Sequence, residues 1–140
     1  MQERALEDGK ILMVLDPGDE LHAALGALAE RASLNAAAIS AIGAVGELEL
    51  GYFCIPKLEY DRKIYREPLE VISLSGNLAR HEGRPLCHLH GVFSGPDMAA
   101  FGGHVFRAVC SVTLEVFVTA FPIALERRRD EQFRLPLLRW

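Results

Sequence analysis

The chain has 140 residues, of which 50% are hydrophobic and 24% are charged, with a formal net charge of −4. This composition is typical of a globular domain and excludes a disordered chain. Its apolar runs all fall short of the roughly 20 residues that a membrane-spanning helix needs. We therefore expect a single domain over residues 1–140. The N-terminus has no basic segment followed by an apolar one, which favours a cytoplasmic protein.

The charge balance argues against nucleic-acid binding through a broad basic surface. The chain has 15 Lys and Arg against 19 Asp and Glu, whereas affinity for duplex DNA comes largely from cations that neutralise phosphates. The one dense basic cluster, residues 127–129 (RRR), is flanked by Glu126 and Asp130. Such a mixed run predicts a solvated turn. The three cysteines form no C-x-x-C pair, which favours small buried thiols over a disulfide framework.

One amphipathic helix is predicted near the N-terminus. Leucines recur there at helical spacing (Leu21, Leu25 and Leu28) with alanines between them. Asp16 or Asp19 can cap the first turn, because a carboxylate accepts hydrogen bonds from free backbone amides. We expect the helix at about residues 18–32.

The rest of the chain has the pattern of strands joined by short turns. The predicted strands cover residues 10–15, 37–42, 46–55, 60–65, 69–78, 86–94, 104–120 and 132–138. We expect a break or bulge within the seventh at residues 108–111, and Pro136 favours an edge position for the last. A helix followed by such a run predicts an α+β fold, with one or two helices packed on a mainly antiparallel sheet.

Three histidines are the strongest candidates for a functional site. His88 and His90 flank Leu89 on one strand, so both imidazoles lie on one face. His104 follows two glycines, where a chain can bend or approach another backbone. Three imidazoles with a fourth position open are typical of a catalytic zinc site, although imidazole also suits iron, copper and nickel. The alternative is three unrelated histidines that are hydrogen-bonded in the core or solvated.

Three further side chains are candidates for lining such a site. Asn77 follows a Ser-Gly pair in mid-strand, which indicates a bulge beside a site or an ordinary turn. Arg80 could bind an anion, or be solvated near a turn. Glu115 could act as a base or ligand, but it shares a strand face with Thr113 and Phe117, which favours the solvated side of the sheet. His22 and His81 are expected at the surface.

Several motifs together resemble a known family, the plant-and-prokaryote-conserved (PPC) domain. They are residues 17–21 (PGDEL), 40–44 (SAIGA), 69–79 (LEVISLSGNLA), 83–90 (GRPLCHLH) and 102–105 (GGHV). The resemblance covers about residues 8–122. It implies an α+β fold and a homotrimer. It also implies zinc on His88, His90 and His104, because some members carry zinc on the matching histidines.

The resemblance also implies an association with DNA, with one departure. In plants the domain accompanies AT-hook segments, which centre on Arg-Gly-Arg-Pro. Here Gly83, Arg84 and Pro85 follow Glu82 in place of the first arginine, so the segment is expected to form a hairpin turn. We therefore favour a homotrimeric domain that binds a zinc-like metal and uses it either for hydrolytic or lyase-type chemistry or to bind a small anionic ligand without turnover. A DNA-associated regulator and a purely structural trimerisation module are the alternatives.

Overall fold

A computed structural model describes residues 1–139, which form one helix and nine strands. The elements in chain order are β1 (Gln2–Ala5), β2 (Lys10–Leu15), α1 (Leu21–Arg31), β3 (Ala37–Cys54), β4 (Glu59–Tyr65), β5 (Leu69–His81), β6 (Arg84–Ser94), β7 (Ala100–Ala120), β8 (Glu126–Arg129) and β9 (Pro136–Arg139). Residues 1–139 contain no helix with the length and apolar character that crossing a membrane requires.

All nine strands belong to one sheet, and its centre is closed. β3 pairs with both β5 and β7, and β6 also pairs with both, so the pairings β3–β5–β6–β7 complete a ring. These pairings are antiparallel, and the single bridge between Arg80 of β5 and Glu126 of β8 is parallel. The predicted mainly antiparallel sheet with a helix on it is therefore confirmed, with α1 as the one helix among the described residues.

The helix covers the sheet through a leucine face. Leu21, Leu25 and Leu28 are buried, and α1 contacts β6 and β7. Burying such side chains stabilises the fold by about 1.5–3 kcal/mol each. Glu20 is the N-cap, rather than Asp16 or Asp19, and its carboxylate accepts from the backbone amides of His22 and Ala23.

Several strand boundaries differ from the sequence predictions. β1 was not predicted, and β3 runs through Gly43 as one strand of 18 residues. The strand continues past Gly43 because its pairings with β5 and β7 shift register there instead of ending. Gly43 has a φ of +140°. The predicted turn at residues 127–129 is wrong, because these residues lie in β8. The last strand begins at Pro136 rather than at residue 132, and it lies at the edge of the sheet as predicted.

The predicted bulge beside Asn77 is also wrong. β5 pairs with β6 without interruption from Ser73 to His81, and the register shift lies between Val71 and Ser73. Glycine is required at position 76 for a different reason: a Cβ there would lie 2.0 Å from the carbonyl oxygen of His88. The predicted irregularity in β7 is confirmed, because the β3 pairing shifts register near Val109 and Cys110.

Gly76→Ala is expected to lower the free energy of unfolding by about 1–3 kcal/mol, because its Cβ would push the β6 backbone away. Gly26→Ala is the control, since a Cβ at this helical position meets nothing within 4 Å. It is expected to stabilise the chain by about 0.5–1 kcal/mol. Urea unfolding of both variants measures the two effects. Equal stability of the Gly76 variant and the wild type would contradict the close approach.

Candidate metal centre

The three histidines are brought together by the pairing of β6 and β7. His88 and His90 lie on one face of β6, while Leu89 between them is fully buried on the other. His104 lies in β7 directly opposite His90. Two neighbouring positions on one strand and one cross-strand partner are therefore enough to place three imidazoles side by side, as the sequence pattern predicted.

The distances among the rings are short enough for a shared ligand. The Nε2 atoms of His88 and His90 are 3.1 Å apart. The ring centroids lie 4.9 Å apart for His88 and His90, 5.1 Å for His88 and His104, and 5.4 Å for His90 and His104. One nitrogen from each ring falls within 4.8 Å of the other two. The three side chains thus form a compact cluster of nitrogen donors.

Burial keeps two of these imidazoles neutral. It lowers the pKa of His104 to about 4, with smaller contributions from His88 and His90. Burial also lowers the pKa of His88, assisted by the positive charge of Arg127. A neutral imidazole has a free lone pair, which is the form that binds a metal ion. These two rings are therefore ready to act as ligands at neutral pH.

The donor set fits a zinc-like ion. Two nitrogens bound to one tetrahedral zinc lie about 3.3 Å apart, given bonds of roughly 2.0–2.1 Å, close to the 3.1 Å between His88 and His90. The Nδ1 atom of His104 is buried and has no hydrogen-bond partner among residues 1–139. A bound cation would satisfy such a lone pair. Three imidazoles would fill three positions and leave the rest of the coordination sphere to water or a small molecule.

A cavity of about 400 Å³ opens beside the cluster. β6 and β7 are paired as far as the His90–His104 pair and then diverge. Residues 84–89 of β6 pair with β5 only, and residues 105–120 of β7 no longer pair with β6 but remain paired with β3. The cavity lies in the resulting gap. Its lining is mainly apolar and comes from α1, β4, β6, β7 and the C-terminal hairpin: His22, Tyr60, Arg62, Leu86, Cys87, His88, His104, Val105, Phe106, Arg127, Leu135, Pro136 and Leu137. His90 is exposed and lies outside this lining.

The three other candidate residues have different surroundings. Asn77 pairs across the sheet with His88, and its Oδ1 accepts a 2.7 Å hydrogen bond from Arg127. Arg80 bonds to Glu30 and to the carbonyl of Leu34, which ties β5 to the end of α1. Glu115 is exposed on β7, on the solvated face that its pattern favoured. None of these three residues lines the cavity, although Asn77 contacts Arg127, which does.

Four cavity residues were missed by the sequence analysis. His22 was expected at the surface but is half-buried and lines the cavity. Arg127 was placed in a solvated turn but is 5% exposed. Tyr60 and Arg62 alternate on β4, and this spacing was the available signal that they share a face. No comparable indication in the sequence marked Arg127 as buried, because a run of three arginines is typical of a charged, solvated surface.

Comparison with protein families identifies the chain. The profile of the Plants and Prokaryotes Conserved (PCC) domain matches residues 4–122. The chain belongs to this family. It is the same family that the sequence motifs resemble. All three histidines lie within the matched range, whereas Arg127 and the β9 residues of the cavity lie beyond it. None of the curated proteins compared with the chain matches it.

Solved structures similar to this PCC domain cover nearly all of the chain. A metal-containing protein from Archaeoglobus fulgidus is 40% identical, with a TM-score of 0.86, over 94% of this chain and 93% of that one. A candidate DNA-binding protein from Bacteroides thetaiotaomicron is 25% identical, with a TM-score of 0.93, over 99% of this chain and 96% of the other. A plant- and prokaryote-conserved protein from Pyrococcus horikoshii is 26% identical, with a TM-score of 0.87 over 94% and 91%.

The depressed pKa of His104 predicts that the metal-free domain loses stability on acidification. Between pH 6.5 and about 4 the unfolded chain takes up a proton at this imidazole and the folded chain does not. The free energy of unfolding should therefore be fully present above pH 6.5 and fall as the pH drops towards 4. Urea unfolding of chelator-treated protein across this range measures the slope. His104→Asn should flatten it, and an unchanged slope in that variant would contradict a neutral, buried His104.

Proposed function

We propose that this PCC domain is a metal-binding protein in which His88, His90 and His104 hold one zinc-like divalent ion. The observation that carries the proposal is the convergence of three imidazoles, two on β6 and one on β7, within 4.8 Å. A similar structure, 40% identical, is that of a metal-containing protein. The choice of a zinc-like ion rests on the all-nitrogen donor set, because hard ions such as magnesium and calcium prefer oxygen ligands.

The site is suited to act on a small molecule rather than only to stabilise the fold. Structural zinc sites commonly use four protein ligands, whereas three leave a position open. The cavity beside His88 and His104 gives a small molecule access to that position. When bound, the ion would supply Lewis-acid polarisation, while the chain itself orients the molecule with the arginines and the apolar wall of the cavity. The same arrangement serves ligand binding without turnover.

We further propose that the working unit is a homotrimer. Three large apolar side chains are exposed on neighbouring strands of the ring: Ile42, Ile72 and Val92. Ile42 and Ile72 lie at the register shifts where β5 pairs with β3 and with β6. Val92 pairs with Ser73, the neighbour of Ile72, and shares a face with His90. We refer to Ile42, Ile72 and Val92 as the apolar row. A contiguous exposed apolar patch commonly marks a protein interface. The trimer implied by the family resemblance would cover this row and bring the three metal sites close to the interface.

DNA binding is the second candidate, favoured by the likeness to a candidate DNA-binding protein. The charges of this chain oppose it. Its net charge is −4, and its arginine cluster offers little to phosphates because Arg127 is buried and Arg128 pairs with Glu126. Fluorescence anisotropy with duplex DNA at low salt distinguishes the two functions. Binding that weakens steeply with added salt would favour the DNA role.

His90→Ala is expected to remove most of the bound metal, because it deletes one of three ligands. The substitution leaves the cavity lining intact, since His90 is exposed and outside it. Metal content is measured by mass spectrometry on protein purified without a His-tag. His81→Ala, a histidine outside the cluster, should retain wild-type metal. Negligible metal in the wild type, or equal metal in the wild type and the His90 variant, would rule the proposal out.

Ile72→Glu is expected to dissociate the trimer, because it would bury three carboxylates at the proposed interface. Sedimentation velocity should show three times the chain mass for the wild type and the single chain mass for the variant. Ile55→Glu provides the control, since Ile55 is exposed in the turn after β3 and outside the row. A wild-type protein that sediments as a monomer would refute the trimer.

A further inference from the structure

The cavity beside the histidines contains a buried cation. The side chain of Arg127 is one of the lining groups, and the residue is 5% exposed. Arginine stays protonated in proteins, so burial does not remove its charge. Fully buried charged residues are uncommon unless they are paired. The feature therefore requires an explanation beyond packing.

The polar contacts of Arg127 leave its charge uncompensated. Nη1 donates to the backbone carbonyl of Pro136 at 3.1 Å, and Nη2 donates to Oδ1 of Asn77 at 2.7 Å. Both acceptors are neutral. The buried Nε has no hydrogen-bond partner, and within residues 1–139 no carboxylate lies within 4 Å of the guanidinium.

The thiol of Cys87 does not supply the missing charge. Cys87 also lines the cavity, and it is close enough to Arg127 to influence the pKa of the guanidinium. A thiol is mostly protonated at physiological pH, so this group supplies no full negative charge. The positive charge therefore has no negative partner on the described part of the chain.

The second arginine of the cavity provides an internal comparison. Arg62 pairs with Glu49 at 3.1 Å and lies over the ring of Phe106, with 3.6 Å from Cζ to the ring centroid. It is exposed as well. Its charge is both paired and solvated, whereas that of Arg127 is neither. Of the two arginines that line the cavity, Arg127 is thus the one whose positive charge is not balanced.

An anion bound in the cavity would balance the positive charge of Arg127. A buried, unpaired cation is destabilising, and a carboxylate can accept from the Nη hydrogens that Pro136 and Asn77 leave free. Most of the remaining lining surface is apolar, with Leu86, Val105 and Leu137 among its side chains. A second negative charge would find no free arginine, because Arg62 is already paired with Glu49, and a heavily hydroxylated molecule would leave hydroxyl groups without partners against the apolar part of the lining. The cavity is therefore matched to one carboxylate on an apolar body.

We infer that Arg127 is the anchor of a binding site for a small monocarboxylate with an apolar body. Asn77, which holds Nη2 of Arg127, pairs across the sheet with His88, so the bound carboxylate lies beside the three-histidine cluster. The inference deepens the proposed metal site and rests on it for the biological role of the ligand. The Arg127 contact itself does not require a metal.

The direct test is calorimetric titration of untagged, chelator-treated protein with acetate, isovalerate and benzoate. The two acids with larger apolar bodies should bind more tightly than acetate. Arg127→Gln should weaken benzoate binding at least about tenfold, because it removes a charged hydrogen-bond donor. Arg129→Gln is the matched control, since Arg129 is exposed on the same strand, and it should bind benzoate as the wild type does.

A second measurement avoids dependence on one variant. Benzamide has nearly the shape of benzoate but no charge, so it should bind wild-type protein at least about tenfold more weakly. Benzoate should also raise the Tm of the wild type but not of the Gln variant. Equal binding of benzoate and benzamide, or no binding of any acid up to about 10 mM, would overturn the inference.

The metal and carboxylate sites can fail separately. His90→Ala should lose metal but keep benzoate affinity in the chelated protein, because His90 does not line the cavity. Arg127→Gln should lose benzoate affinity but keep metal. If wild-type protein carries no metal while benzoate binding still depends on Arg127, the metal proposal falls and the carboxylate site stands. The reverse result removes the carboxylate site alone.

Discussion

The site depends on one geometric constraint, the divergence of β6 from β7 at the His90–His104 pair. Up to this pair the two strands are hydrogen-bonded neighbours, which places three imidazoles together. Beyond it each strand keeps its other partner, and the gap becomes the cavity. The divergence of the two strands therefore accounts both for the cluster of nitrogen donors and for the open space beside it. Closure of the ring on its other sides holds the divergence in place.

The apolar core keeps this arrangement rigid. Leu89 and Val105 alternate with the histidines on β6 and β7, and both are buried in the hydrophobic core. Because side chains alternate across a strand, burying these residues forces the imidazoles to the opposite face. A slip of one residue would bury the histidines and expose the leucine. The hydrophobic pattern thus sets the register, and the register sets the site.

The sequence was sufficient for the parts of the site that depend on local periodicity. The alternation of His88, Leu89 and His90 predicts a shared face, and the mainly antiparallel sheet follows from the series of strands. The buried position of Arg127 depends instead on how the β8–β9 hairpin packs against β5, which no local pattern encodes. The same long-range packing makes His22 part of the cavity and leaves Arg80 holding the end of α1. Residues at contacts distant in sequence were the ones misplaced.

The central claim is that the three histidines hold one metal ion. X-ray absorption spectroscopy of untagged protein loaded with one equivalent of zinc tests it most directly, because it reports the ligands around the ion. The account predicts three imidazole ligands with their nitrogens at about 2.0–2.1 Å from zinc, together with a non-protein ligand such as water. It also predicts the loss of this signature in His90→Ala. Zinc surrounded by oxygen or sulfur ligands, or the same imidazole count in that variant, would contradict the account.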